Sequence, residues 1–112
     1  MEYQYNLNEI VNKFPSNNQF IRIINKEDLI TGIIRIQPNE KDKQTPHPRD
    51  EVYLLISGDG FLQIEDKSFK LEPNHLYFVP KETKHYFYGN TVELLILYFF
   101  GGGVHFPTTF DL

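Results

Sequence analysis

The sequence predicts an all-β protein, an antiparallel barrel or double-sheet jelly roll with one short helix before it. Eight runs of strand length are rich in β-branched and aromatic residues. Clusters of Gly, Pro, Asn, Asp and Ser separate these runs, and these residues favour turns. Since no helical pattern lies between the runs, parallel βαβ units are excluded, and the strands are expected to pair antiparallel.

The elements are expected in a simple order, with the helix first and the strands after it. Four apolar residues repeat at helical spacing: Leu7, Ile10, Val11 and Phe14. Asn6 precedes them as a suitable N-cap, and Pro15 is expected to end the helix. The strands are expected over residues 20–24, 29–36, 52–56, 61–64, 68–71, 76–79, 85–88 and 92–100.

The composition indicates one globular domain over residues 1–112: helix and turn over 1–18, barrel over 19–100 and a tail over 101–112. The net charge of −4 provides no basic surface, so nucleic acid is not an expected partner. Cysteine is absent, which excludes disulfides and thiolate metal sites. Since the sequence shows neither a leader pattern nor an apolar run of about twenty residues, we expect a cytoplasmic protein without membrane contact.

Two of the expected strands, 52–56 and 92–100, are apolar on both faces. A half-exposed antiparallel strand would alternate apolar and polar residues instead. The helix could cover one face, or the tail could do so through Phe106 and Phe110. The alternative is a second copy of the chain, because monomers rarely expose large apolar patches. A homodimer is the outcome that we expect.

Two spaced motifs resemble the signatures of a known family. In the first, His47, Glu51 and Gly58 are separated by three and then six residues; in the second, Pro80 precedes His85 by five positions. They are similar to the two motifs of the cupin family, G(X)5HXH(X)3-4E(X)6G and G(X)5PXG(X)2H(X)3N. The resemblance covers residues 29 to 100 and implies a cupin barrel, which is a double-stranded β-helix.

Four positions depart from the family pattern. Thr45 stands at the first histidine, and Asn74 and Glu82 stand at the two glycines of the second motif. Asn90 comes one place later than the motif asparagine. A hydroxyl is a poor ligand for first-row metals, so we expect water to fill the place that Thr45 leaves.

The same residues predict a metal site on chemical grounds. His47 and Glu51, four apart, share one face of a regular strand, and His85 opens another strand. If both faces line the interior, a buried carboxylate lies beside two imidazoles and needs a partner, which a divalent cation supplies. Two histidines and one carboxylate suit Fe(II), Mn(II), Ni(II) or Zn(II). The alternative is a hydrogen-bonded His–Glu cluster without metal.

Five residues are candidates for the wall of a ligand pocket: Thr45, Arg35, Gln63, Tyr53 and Phe87. Arg35 could clamp a carboxylate, or it could lie on the solvated face of an edge strand. Gln63 could hydrogen-bond a ligand or face solvent. Tyr53 and Phe87 are core aromatics first and pocket walls second.

Two functional classes remain open, because a fold alone does not select between them. The resemblance implies a small-molecule metalloenzyme of the dioxygenase, isomerase or decarboxylase type, with the metal as a Lewis acid or oxygen-binding centre. The alternative is a non-catalytic cupin that binds or senses a small ligand, with or without a metal. The sequence assigns no catalytic residue in addition to the metal ligands.

Overall fold

The chain forms two antiparallel β-sheets with a short helix outside them. The computed structural model describes residues 2–102. In this part of the chain the helix α1 (Leu7–Lys13) is followed by β1 (Phe20–Asn25), β2 (Ile30–Ile36), β3 (Glu51–Ser57), β4 (Phe61–Ile64), β5 (Lys67–Lys70), β6 (Tyr77–Val79), β7 (His85–Tyr88) and β8 (Leu94–Phe100). Each strand lies within two residues of its expected bounds. No helix among the described residues is long and apolar enough to cross a membrane.

The two sheets face each other across one core. Five strands form the first sheet, in the order β1-β2-β8-β3-β6, and three form the second, in the order β5-β4-β7. All pairings between the described strands are antiparallel. Tyr53 and Ile96 of the first sheet meet Leu62 and Phe87 of the second sheet in the core. The all-β, two-sheet prediction is therefore confirmed.

Strand β8, which is apolar on both faces, has apolar partners on both sides. Leu94 and Ile96 point into the core between the sheets, whereas Leu95 points to the opposite, outer face. A second cluster on the outer face consists of Ile21, Ile33 and Leu95, and the helix residues Leu7, Ile10 and Val11 pack against it. Helix α1 thus covers part of this face. The tail residues Phe106 and Phe110 lie outside the described residues.

Polar groups fix both ends of α1. The Asn6 side chain accepts a hydrogen bond from the backbone amide three residues later, as expected of an N-cap. At the other end the buried Arg35 guanidinium donates to the carbonyl oxygens of Val11, Phe14 and Pro15, at and just after the last helical turn. The prediction that Arg35 lines the pocket is wrong. Both of its neighbours in β2 fill the core, so strand alternation turns Arg35 to the outer face.

Gly32 lies where β2 passes very close to its neighbours. A Cβ atom at this position would lie 2.2 Å from the carbonyl oxygen of Ile21 and 2.6 Å from the hydroxyl oxygen of Tyr98. Because the first of these is a backbone atom, Gly32→Ala is expected to lower the free energy of unfolding by about 1–3 kcal/mol. Gly101→Ala is the control, since its Cβ would meet only Asp50 O at 3.8 Å. Urea denaturation measures both variants, and equal midpoints would contradict this account.

The outer face of β3, β6 and β8 presents a further apolar surface. Val52 pairs with Phe78 on one side and with Phe99 on the other. Phe78 is 56% exposed, whereas Val52, Leu54 and Phe99 are half-buried. The homodimer expected from the sequence stays a prediction. This face is the surface that a second copy would cover.

In solution we expect a mass twice the 13.3 kDa of the single chain. Phe78→Glu would place a charge in the apolar face and should shift the mass towards that of the monomer. Tyr86→Glu is the matched control, because Tyr86 is 42% exposed and lies on the second sheet. Light scattering across a dilution series measures the mass. A wild-type protein that is monomeric at every concentration would rule out the dimer.

Candidate metal centre

The three predicted ligands, His47, Glu51 and His85, converge inside the barrel. Each offers one ligand atom, and these atoms all lie within 4.8 Å of one another. Glu51 Oε1 lies 3.6 Å from His47 Nε2 and 3.4 Å from His85 Nε2. Glu51 is the first residue of β3 and His85 is the first residue of β7, so the group joins the two sheets.

His47 does not share a strand with Glu51, and that part of the prediction is wrong. His47 lies in the irregular segment before β3. Pro46 and Pro48 flank it, and because proline has no amide hydrogen it disfavours regular strand pairing. The backbone nevertheless positions His47, since its carbonyl oxygen accepts a hydrogen bond from Glu82 N at 2.6 Å. Glu82 lies in the turn before β7, so His47 is tied to the strand that carries His85.

Glu51 is the buried carboxylate of the site. It is 1% exposed and pairs with Val79 and Phe100 in the neighbouring strands. Its Oε1 atom accepts a hydrogen bond from the Tyr53 hydroxyl at 2.6 Å. Its Oε2 atom has no hydrogen-bond partner among residues 2–102. An unpaired buried carboxylate oxygen is energetically unfavourable, so this atom calls for a cation.

Tyr53 and Phe87 support the site from the core. Burial raises the pKa of Tyr53 far above its usual value, and the charge of Glu51 raises it further. Tyr53 therefore stays protonated and acts as the donor that orients Glu51. The Phe87 ring contacts the Tyr53 ring edge to face, with centroids 4.9 Å apart. Both residues are fully buried, so their side chains belong to the core behind the carboxylate, as the sequence suggested first.

His85 is held in the orientation of a metal ligand. Its Nδ1 atom lies 2.7 Å from the carbonyl oxygen of Thr83, to which the Nδ1–H group can donate. This contact leaves the Nε2 lone pair free, and Nε2 has no hydrogen-bond partner in the described part of the chain. Burial lowers the pKa of His85, but Glu51 and the Thr83 carbonyl oxygen outweigh burial and leave it raised.

His47 forms the more accessible side of the site. Its side chain is 23% exposed, and its ring packs edge-on against Phe100 with centroids 4.8 Å apart. Burial lowers its pKa and outweighs the opposing effect of Glu51. A neutral imidazole is the form that binds a metal, so the lowered pKa favours ligation at neutral pH.

Two residues that the sequence analysis missed connect these groups. Gln44 Oε1 lies 3.1 Å from the Tyr53 hydroxyl oxygen and 3.4 Å from His47 Nε2. Gln44 Nε2 donates to Asp42 Oδ2 at 2.8 Å, and the buried Asp42 also accepts from Phe87 N at 2.9 Å. Both lie in an irregular segment, where no periodicity distinguishes buried from exposed positions. The sequence therefore contained no signal for them.

A cavity of about 210 Å³ adjoins this group. Its polar lining consists of Arg22, Lys43, Gln44, Thr45, His47 and Glu51, and its apolar lining consists of Phe20, Ile34, Tyr98 and Phe100. Thr45 is thus among the residues that line this cavity. The sequence analysis missed Arg22, although Arg22 alternates with Ile21 and Ile23 along β1, which was a usable signal for the opposite strand face.

Gln63 lies away from this cavity, and the prediction that it lines the pocket is wrong. Leu62, next to it in β4, is fully buried in the core. Alternation therefore turns Gln63 to the outer face of the second sheet. There its Nε2 atom donates to the carbonyl oxygen of Glu65 at 2.9 Å.

Comparison with known proteins agrees with the fold and the motifs. A family model described as a cupin domain matches residues 32–100, more than half of the chain. The protein therefore belongs to the cupin family. An uncharacterized protein of Streptomyces coelicolor is 22% identical over 81 residues, which cover 72% of this chain and 77% of that protein.

Solved structures show the same fold. A conserved Klebsiella pneumoniae protein with a double-stranded β-helix domain superposes with a TM-score of 0.75 at 15% identity, covering 90% of each chain. A putative mannose-6-phosphate isomerase from Ralstonia eutropha has a TM-score of 0.67 at 16% identity, covering 91% of this chain and 100% of its own. At these identities the similarity shows a shared fold alone.

The residues at the two motif glycines adopt a backbone conformation that favours glycine. Asn74 and Glu82 adopt left-handed conformations, with φ of 63° and 61°. This region favours glycine, which the motif has at both positions. Gly58, which matches the last glycine of the first motif, has a φ of 98°, and a Cβ there would lie 2.4 Å from the carbonyl oxygen of Glu93. The turns that position the site are therefore present despite the two substitutions.

Proposed function

We propose that this cupin binds one divalent metal ion through His47, Glu51 and His85 and acts as a small-molecule metalloenzyme. The observation that carries the proposal is a pair of buried atoms, Glu51 Oε2 and His85 Nε2, with no hydrogen-bond partner within residues 2–102. Carboxylate oxygen and imidazole nitrogen are both metal ligands. A bound cation would remove the cost of leaving these atoms unpaired.

The ligand set narrows the choice of metal. Two imidazoles and one carboxylate on one side of an ion suit Fe(II), Mn(II), Ni(II) or Zn(II) and leave positions open for water or substrate. Thr45 lines the cavity where a cupin has a further histidine, so one more position would be filled by water. Such an open centre is typical of catalytic rather than structural metal sites.

The residues of the chain would orient the metal ligands and keep water away from a bound substrate. An ion at this centre would act as a Lewis acid or an oxygen-binding centre, which supports an isomerase-, decarboxylase- or dioxygenase-like activity. Tyr53 orients Glu51, and the Thr83 carbonyl oxygen orients His85. Ile34 and Phe100 provide apolar walls that would shield a small substrate from solvent.

The alternative function is that of a non-catalytic cupin that binds or senses a small ligand, with or without a metal. One observation favours it. Apart from His47 and Glu51, the ionic side chains that line the cavity within the described residues are those of Arg22 and Lys43. Both are cationic at neutral pH and poorly suited to general-base catalysis. Turnover by metal-loaded protein would separate the two functions.

The metal site is tested by loss of a ligand. We expect purified protein reconstituted with Zn(II) or Mn(II) to hold one ion per chain, and His85→Ala to abolish binding. His75→Ala is the control, because the His75 side chain is 58% exposed and lies near Glu72, away from the site. Elemental analysis after gel filtration measures the number of metal ions per chain in each protein.

A second readout separates loss of metal from loss of fold. Metal at a hundredfold excess over its dissociation constant should stabilise the wild type by about 2.7 kcal/mol in thermal or urea denaturation. The His85→Ala protein should be folded but show no such gain. Wild-type protein that retains no stoichiometric ion and gains no stability would refute the proposal.

Thr45→His should strengthen metal binding, because it would add an imidazole beside the cavity. We expect affinity to rise by roughly tenfold or more, since changes in outer-shell partners alone alter metal affinity on this scale. Thr45→Val is the matched control and should leave affinity unchanged. Competition with a chelating dye measures the dissociation constants. Equal affinities in Thr45→His and Thr45→Val would show that position 45 does not face the ion.

A further inference from the structure

Two cationic side chains, Arg22 and Lys43, line the cavity beside the candidate metal centre. Neither belongs to the group of three candidate ligands. Arg22 lies on β1, where it pairs with Gly32 of β2. Lys43 lies in the irregular segment between β2 and β3. Two positive charges therefore reach the same cavity from separate parts of the chain.

Arg22 is positioned at the cavity by the Tyr98 hydroxyl group. A Cβ at Gly32 would lie 2.6 Å from the Tyr98 hydroxyl oxygen, so the glycine leaves room for this group, and Arg22 Nε donates to the same oxygen at 3.4 Å. Arg22 lines the same cavity as His47 and Glu51, so its side chain lies beside the candidate centre. Within residues 2–102, no carboxylate forms an ion pair with Arg22.

Lys43 lies on a segment that is anchored to the barrel. Its backbone amide donates to Gln19 Oε1 at 3.2 Å, and Gln19 Nε2 donates to the carbonyl oxygen of Lys41 at 2.7 Å. Gln19 is buried, with 5% exposure. The backbone that presents Lys43 at the cavity is therefore fixed, and its exposed side chain has a flexible stem that can adjust to a ligand.

The charges of the cavity favour an anion. Glu51 is the one acidic residue among the described residues that line it. A divalent ion would more than neutralise Glu51, so the centre and the two cations would together carry a positive potential. The cavity volume of about 210 Å³ is below the roughly 300–1,000 Å³ typical of drug-sized ligands. A ligand of few atoms fits this space.

We propose that the cavity binds a small molecule that carries an oxyanion, a carboxylate or a phosphate group, paired with Arg22 and attracted by Lys43. A guanidinium matches the two oxygens of either group, and an ammonium acts as a point charge. The inference rests on the proposed function in one respect: the proposed metal would add positive charge to the same cavity. The competing explanation is that both cations are solvated side chains at the rim.

The experiment is a calorimetric titration of the full chain, both Zn(II)-loaded and metal-free, at low ionic strength. The probes are lactate, succinate and inorganic phosphate, with lactamide and succinamide as neutral comparators. At least one of three results is expected. Lactate binds better than lactamide, succinate binds better than succinamide, or phosphate binds better than both amides. Arg22→Gln should lower that affinity by roughly tenfold or more. Lys43→Gln should lower it by roughly two- to fivefold. Lys70→Gln, an exposed lysine on β5, should leave it unchanged.

The outcomes separate this inference from the metal proposal. Zinc content is measured for each variant, and Arg22→Gln should keep its metal while losing the anion. If the wild type holds no zinc, the metal proposal fails, and the metal-free titrations still decide the role of Arg22. Anions that bind no better than the amides, or equally well to the wild type and Arg22→Gln, would overturn the inference. The relative affinities of phosphate and the carboxylates identify the oxyanion.

Discussion

The burial of Glu51 at the junction of the two sheets is the constraint on which the rest of the site depends. A carboxylate with 1% exposure requires compensation for the water that it loses. The Tyr53 hydroxyl compensates one oxygen, while the second has no partner among the described residues. The two imidazoles lie within 3.6 Å of the first oxygen. The apolar core thus creates an unmet electrostatic requirement at one point, and a cation is the group that meets it most directly.

The three candidate ligands meet because hydrogen bonds hold the irregular segment before β3 against the second sheet. The Asp42 carboxylate accepts a hydrogen bond from Phe87 N in β7, and the His47 carbonyl oxygen accepts one from Glu82 N just before β7. The segment that supplies one candidate ligand is therefore fixed to the strand that supplies another. Displacement of one sheet relative to the other would move Glu51, on the first sheet, away from His47 and His85, so the site and the packing of the barrel are coupled.

The same segment also determines what can approach the centre. Gln44 and Lys43 point to the cavity from one side, and Arg22 does so from β1. The aromatic ring of Phe100 packs against the His47 ring and limits solvent on that side. Charged groups at an opening with apolar walls act more strongly than they would in water, because the low-dielectric walls reduce screening. If a small anion binds here, as proposed, the residues around the three candidate ligands would select it more than the ligands themselves.

The sequence by itself determined the strands, their antiparallel class, the helix cap at Asn6 and the three residues that converge, because alternation, turn chemistry and motif spacing are local properties. It did not determine that Arg35 and Gln63 face outwards. Alternation along a strand separates two faces, but when both faces carry apolar residues it does not say which face is inside. Only the tertiary structure decided that, through the helix packed on β2 and the core at Leu62. It also brought Asp42 and Gln44 to the site, because contacts between an irregular segment and distant strands have no periodic trace in sequence.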